Sequence, residues 1–124
     1  MKRVDFTRLK GTYRREALRE VQLMMRLRNP HVVRYHTSFI EAESLNIVME
    51  YVDKGDLHGL VRSLRDKKET LSEDMVWLLA FQLCLGVGFL HYQKVIHRDL
   101  KCMNVLLSAD NVVKIGDLGV SKVH

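Results

Sequence analysis

Proline is almost absent: the 124 residues contain one, Pro30. No Pro/Gly/Ser-rich stretch, internal repeat or low-complexity tract interrupts the chain, so nothing in it marks a linker between two domains. Cysteine is scarce too. Cys84 and Cys102 lie far apart without metal-ligand spacing, and no secretory leader precedes them, which argues against a disulfide scaffold or zinc finger and for reduced thiols. Long apolar runs are missing as well: the longest, Met75 to Leu90, is sixteen residues broken by Gln82, Gly86 and Gly88. That falls short of the ~20 residues a membrane span needs, so we expect no membrane contact and a buried helix instead. Ser72 can cap it, and Glu73 and Asp74 suit the positive end of its dipole.

What is present fits one soluble globular unit, or part of a larger one: 47% of residues are apolar and 28% charged. The net charge of +5 is uneven, because residues 1 to 35 hold ten Lys/Arg against three Asp/Glu. This basic block has no Gly/Arg repeat and only Phe6, Tyr13 and Tyr35 to stack on bases, so nucleic acid is not the expected partner.

Residues 12 to 28 have the spacing of a helix, with Ala17, Leu18, Val21, Met24 and Met25 on one side and Arg14, Arg15, Glu16, Arg19 and Gln22 mostly facing water. Asn29-Pro30 is its expected stop. Val32 to Ile40 and Leu45 to Tyr51 are rich in strand formers and flank Glu41-Ala42-Glu43-Ser44, the pattern of an antiparallel hairpin. Leu57, Leu60, Val61 and Leu64 describe a short amphipathic helix. After the Met75 to Leu90 helix come three strand-like runs, Val95-Ile96, Val105 to Leu107 and Val112 to Ile115, the last two joined by the turn 108–111. The class is α+β.

The sharpest signal is His97-Arg98-Asp99-Leu100-Lys101-Cys102-Met103-Asn104. Five fixed residues at about 1 in 20 each give the pattern a chance expectation of about a few in 100,000 over a chain this long. It matches H-R-D-L-x-x-x-N, and here the sequence resembles the protein kinases. Asp117-Leu118-Gly119 lies where that family has D-F-G. If the hairpin turns at 109/110, Val105 opposes Lys114 and Asn104 opposes Ile115, which brings Asp117 within ~7 Å of Asn104.

The resemblance implies a partial two-lobe kinase fold, with residues 1–49 in the N-lobe, 50–56 as hinge and 57–124 opening the C-lobe. It implies ATP and Mg²⁺ as cofactors and a protein Ser or Thr hydroxyl as acceptor. Asp99 would take the hydroxyl proton and Lys101 would neutralise the transferring group. Asn104 and Asp117 would offer Mg²⁺ the hard oxygens it prefers. Lys2 matches the strand lysine of the family and would face the phosphates. Its implied partner is Glu20, which helical phase puts beside the apolar stripe, unlike Glu16. Met49 would be the gatekeeper, the backbone of Glu50 and Val52 would contact adenine, Asp56 would approach the ribose, and Leu106 would close the pocket.

Further stretches narrow the resemblance to the NIMA-related kinases: Ser38-Phe39-Ile40-Glu41, Leu45 to Tyr51, Gly55-Asp56-Leu57, Val76-Trp77, Gln82-Leu83-Cys84 and Gly116 to Gly119. Leu118 would join His97, Met24 and Tyr35 in an internal stack, and in some relatives the tyrosine at this position swings down and holds the enzyme off. Cys102 stands where many kinases have proline. No G-x-G-x-x-G loop or A-P-E element is in the sequence, so the expectation is a truncated domain with little activity and weak stability alone. The alternatives are a non-catalytic, kinase-derived interaction module and an incomplete gene model. A cytoplasmic location is the default expectation.

Overall fold

The computed structural model describes residues 1–7 and 11–118. It is α+β and forms two compact units built from interleaved segments. The first comprises Met1–Arg28, Arg34–Tyr51 and the chain from Asp117; the second comprises Asn29–Val33 and Val52–Gly116.

The first unit is a three-stranded antiparallel sheet with one helix. Strands β1 (Lys2–Asp5), β2 (Tyr35–Glu41) and β3 (Ser44–Met49) lie in the order β1-β3-β2. The central strand β3 buries Ser44, Leu45, Asn46 and Ile47 in succession, as a strand covered on both faces must. β2 and β3 meet register-to-register at Glu41 and Ser44. The two residues between them, Ala42 and Glu43, have φ of 46° and 54°, the left-handed pair that matches the twist of a tight hairpin. Helix α1 (Gly11–Met24) buries Ala17, Val21 and Met24 as the periodicity predicts.

Helix α1 ends earlier than the expected residue 28. Arg26 N–H donates to Leu23 O and Leu27 N–H to Met24 O, tight turns that unwind the helix and bury Leu27. The strand expected from Val32 also begins late, at Tyr35. Val32 and Val33 are both 2% exposed, which a half-buried strand of period two cannot provide. Both belong instead to the second unit, where Ile115 N–H donates to His31 O and Val33 N–H to Ile115 O.

The second unit holds α2 (Leu57–Asp66), α3 (Glu73–Tyr92) and the hairpin of β4 (Val105–Leu107) and β5 (Val113–Ile115). Asp56 caps α2 by accepting Gly59 N–H at 2.7 Å, and Ser72 caps α3 by accepting Met75 N–H at 3.2 Å. The core is Leu79, Val105, Leu107 and Val113, flanked by Leu57, Leu60, Leu71, Met75 and Leu83. Gln82, buried on α3, fastens that helix to the hairpin by donating to Asn111 O and accepting Val113 N–H.

Three expectations need correction in this unit. Val95-Ile96 is not a strand: Lys94 turns left-handed at φ 62°, Val95 N–H closes the helix end onto Leu90 O, and Ile96 is 70% exposed. Helix α3 is buried only along Leu79, Gln82, Gly86 and Leu90, while Trp77 and Phe81 are 67% and 65% exposed. At 20 residues it is also long and apolar enough to cross a membrane by length and composition, because the first and last turns extend the sixteen-residue run.

Candidate active site

The hairpin β4–β5 sets the frame for the 97–104 loop, and its register differs from the expected one by a residue. Val105 opposes Ile115, Leu106 opposes Lys114 and Leu107 opposes Val113. The turn is a three-residue loop rather than a two-residue one: Ser108 N–H donates to Val112 O, and Asn111 takes the left-handed φ of 58° that closes such a loop. Asn104 therefore lies opposite Gly116, whose N–H donates to Asn104 O at 2.8 Å.

Within the second unit the loop is folded onto itself. His97 is buried, and its ring holds two points of the backbone: Nδ1 accepts Asp99 N–H at 3.1 Å, and Nε2 lies 2.7 Å from Gly116 O. Because Nδ1 accepts, the proton sits on Nε2 and is donated to the carbonyl, so a neutral ring of one tautomer fits this position. Arg98, between the two bonded residues, has φ 69°, a strained conformation of the kind that persists only where surroundings enforce it. A single 3₁₀ turn, Cys102–Asn104, follows. Asn104 is buried and its Nδ2 donates to Asp99 O at 2.8 Å, so the amide oxygen is the atom it offers to a cation. Lys101 Nζ lies 3.6 Å from Asp99 Oδ2. At 52% and 34% exposure this ion pair adds little stability; it puts a cation beside the carboxylate. Asp56, the helix cap, and Leu106, half-buried on β4, form an isolated antiparallel bridge, and Val52 is half-buried in the same unit.

The first unit carries the remaining predicted residues. Lys2, on β1, is ion-paired with Asp117. Asp117 has φ 54°, and the next residue, Leu118, is buried with its N–H donated to the Tyr35 hydroxyl at 3.3 Å. Burial raises the Tyr35 hydroxyl to about 12; the Leu118 N–H opposes that rise, and the charges of Asp117 and Glu20 add to it. Glu20 is thus close enough to Tyr35 to act on it, and it is half-buried where Glu16 is exposed, as the helical phase predicts. Met49 and Glu50 are half-buried. Glu50 N–H donates to Arg34 O at 2.8 Å, and the Glu50 carboxylate accepts Arg34 N–H. Gly119 lies outside the described residues.

The structure thus gathers Asp99, Lys101 and Asn104 in one unit and Lys2, Glu20 and Asp117 in the other. Among the described residues no cluster of three or more His, Cys, Asp or Glu could hold a metal by itself. An amide oxygen and one carboxylate suit a hard cation that takes its other ligands from phosphate and water. The two-handed role of His97 was not legible from the loop motif, because both of its partners are backbone groups.

Comparison with known proteins identifies the family. The family model of the protein kinase domain matches residues 1–124. The chain is 34% identical over 123 residues to the mouse serine/threonine-protein kinase Nek1, covering 99% of this chain and 10% of that protein. It is 35% identical over 124 residues to rice serine/threonine-protein kinase Nek6, covering 99% of the chain and 23% of the relative. It is 42% identical over 106 residues to the probable serine/threonine protein kinase IRE of Arabidopsis thaliana, covering 86% of the chain and 9% of the relative. The chain therefore spans less than a quarter of the length of these relatives.

Proposed function

The chain belongs to the protein kinase family, and on that premise we propose that it carries part of a Ser/Thr kinase site of the NIMA-related type, transferring the γ-phosphoryl group of ATP to a protein hydroxyl. The observation that carries the proposal is the folded 97–104 loop, in which His97 and Asn104 hold the backbone on both sides of Asp99. A carboxylate so fixed can take a hydroxyl proton and aim the oxygen, and positioning of this kind supplies most of the rate in phosphoryl transfer. Lys101 stands beside it to neutralise charge on the transferring group.

Asn104 Oδ1 and the Asp117 carboxylate are the oxygens assigned to Mg²⁺. When bound, that ion neutralises the phosphate oxygens and orients them. Lys2 and Asp117 bring a cation and an anion to one point, the pair of charges from which a phosphate and a metal ion would each draw a partner. Glu20 remains the assigned carboxylate on α1. Met49 is assigned as gatekeeper. Because the Glu50 N–H is committed to Arg34 O, any base contact from Glu50 is made by its carbonyl as acceptor, with Val52 N–H as donor. Asp56 and Leu106 complete the assignment at the ribose and the base.

The bond from Leu118 N–H to the Tyr35 hydroxyl supports a held-off arrangement of the kind the tyrosine imposes in some relatives. Incubation of an extended version of the chain, one that adds a G-x-G-x-x-G loop and an A-P-E element, with labelled ATP, Mg²⁺ and matched Ser, Thr and Tyr peptides tests the proposal. Transfer to Ser or Thr that disappears in Asp99→Asn is the expected result. Transfer confined to Tyr, or undiminished in that variant, contradicts it.

A further inference from the structure

The first turn of α1 carries a cation where a helix least favours one. Arg14 is the fourth residue of the helix, in a turn with no acidic residue to balance it against the positive end of the dipole. Its guanidinium is engaged outside the helix. Nη2 donates to Phe6 O at 2.9 Å, Cζ lies 5.8 Å over the Phe6 ring, and Nη2 is 3.9 Å from Glu43 Oε2. Phe6 is itself 2% exposed, and its N–H donates to Glu43 O at 2.8 Å. One side chain thus ties α1 to the end of β1 and to the β2–β3 turn. The Nε of Arg14 is buried with no hydrogen-bond partner among the described residues, a penalty that the other contacts must offset.

We propose that Arg14 is a positioning residue. By holding the first turn of α1 to Phe6, it sets where the helix presents Glu20 beside Tyr35. The pair with Glu43 contributes little, since its groups are 36% and 62% exposed; the Phe6 carbonyl and ring carry the tie. The consequence for nucleotide rests on the reading of Glu20 and Lys2 given above, whereas the anchoring of α1 does not.

Amide hydrogen exchange followed by NMR on this chain, alongside Mg·ATP affinity, tests the two parts separately. In Arg14→Ala, the Ala17 and Val21 amides are expected to exchange about tenfold faster while Leu45 and Ile47 keep wild-type rates, the signature of local release rather than global loss of stability. Mg·ATP affinity falls by about fivefold or more in that variant and is largely recovered in Arg14→Lys, which can still donate to Phe6 O. Glu43→Gln changes either readout by less than about twofold. Should Arg14→Ala not fold, Arg14→Met, which keeps the length of the side chain but has no donor and no charge, is read in the same way. Equal acceleration across α1 and β3, or unchanged α1 exchange, overturns the proposal. A wild-type chain that does not bind Mg·ATP refutes the nucleotide reading, and the exchange pattern still decides the role of Arg14.

Discussion

Tyr35 concentrates the chemistry that single residues contribute here. Its hydroxyl is buried, accepts the Leu118 N–H and feels the charges of Asp117 and Glu20, and its ionisation rises to about 12 from the ordinary 10.0. A folded-state value above the unfolded one means that the native state holds its proton when the unfolded state has released it. Stability from this group is complete below pH 10 and declines as pH rises towards 12, by roughly 2–3 kcal/mol in total. Tyr35→Phe is expected to flatten that decline in alkaline unfolding curves and to cost about 1 kcal/mol at neutral pH through the unsatisfied Leu118 N–H. An unchanged slope between pH 10 and 12 would refute the assignment. The helical phase of α1, legible in the sequence, sets Glu20 half-buried and Glu16 exposed. Nothing in sequence marked Arg14 as a tertiary anchor, because an arginine among arginines reads as solvated surface.

The start of α3 was legible in the sequence, because Ser72 performs as the expected cap. Asp56, read only as a ribose contact, also caps α2. The stops of α2 and α3 are Schellman motifs built without glycine. In α2, Glu69 N–H donates to Leu64 O and Lys68 N–H to Arg65 O; in α3, Val95 N–H donates to Leu90 O and Lys94 N–H to His91 O. Lys68 and Lys94 hold φ of 55° and 62° there, so the residue that usually announces such an ending is missing. The Val95-Ile96 strand was the resulting error. Glycine at either position relieves the left-handed strain, and Lys68→Gly and Lys94→Gly should each raise stability by about 0.5–1 kcal/mol in chemical denaturation. A loss of stability in both would show that the lysine side chains themselves hold the ends. The β4–β5 register failed for a related reason: Asn111 supplies a left-handed residue that lengthens the turn by one and moves every pair.

At the scale of the whole molecule, α+β class and the loop motif were legible, while the interleaving of the units was not. Val32 and Val33 read as the start of a strand continuing into β2, yet residues 29–33 belong to the second unit, where His31 and Val33 bond Ile115. Gly86 permits this arrangement: a Cβ there would meet Ile115 Cδ1 at 2.8 Å and His31 O at 2.9 Å. The side chain can shift but the carbonyl cannot easily do so, and Gly86→Ala is expected to cost about 1–3 kcal/mol in thermal unfolding. Retained stability would mean that the 29–33 segment yields without loss. Asp99, Lys101 and Asn104 were expected from the motif alone, because its function needs them at fixed spacing. Their backbone partners were not, since hydrogen bonds to main chain leave no residue-type signal.

Mg·ATP is the ligand that the oxygens of Asn104 and Asp117 are proposed to serve. Calorimetric titration of the chain with ATP, with and without Mg²⁺, in wild type, Asp117→Asn and Asn104→Ala, tests it most directly. Mg²⁺-dependent binding weakened about tenfold or more in each variant is the predicted result. Wild-type affinity that is independent of Mg²⁺, or unchanged in both variants, would contradict it.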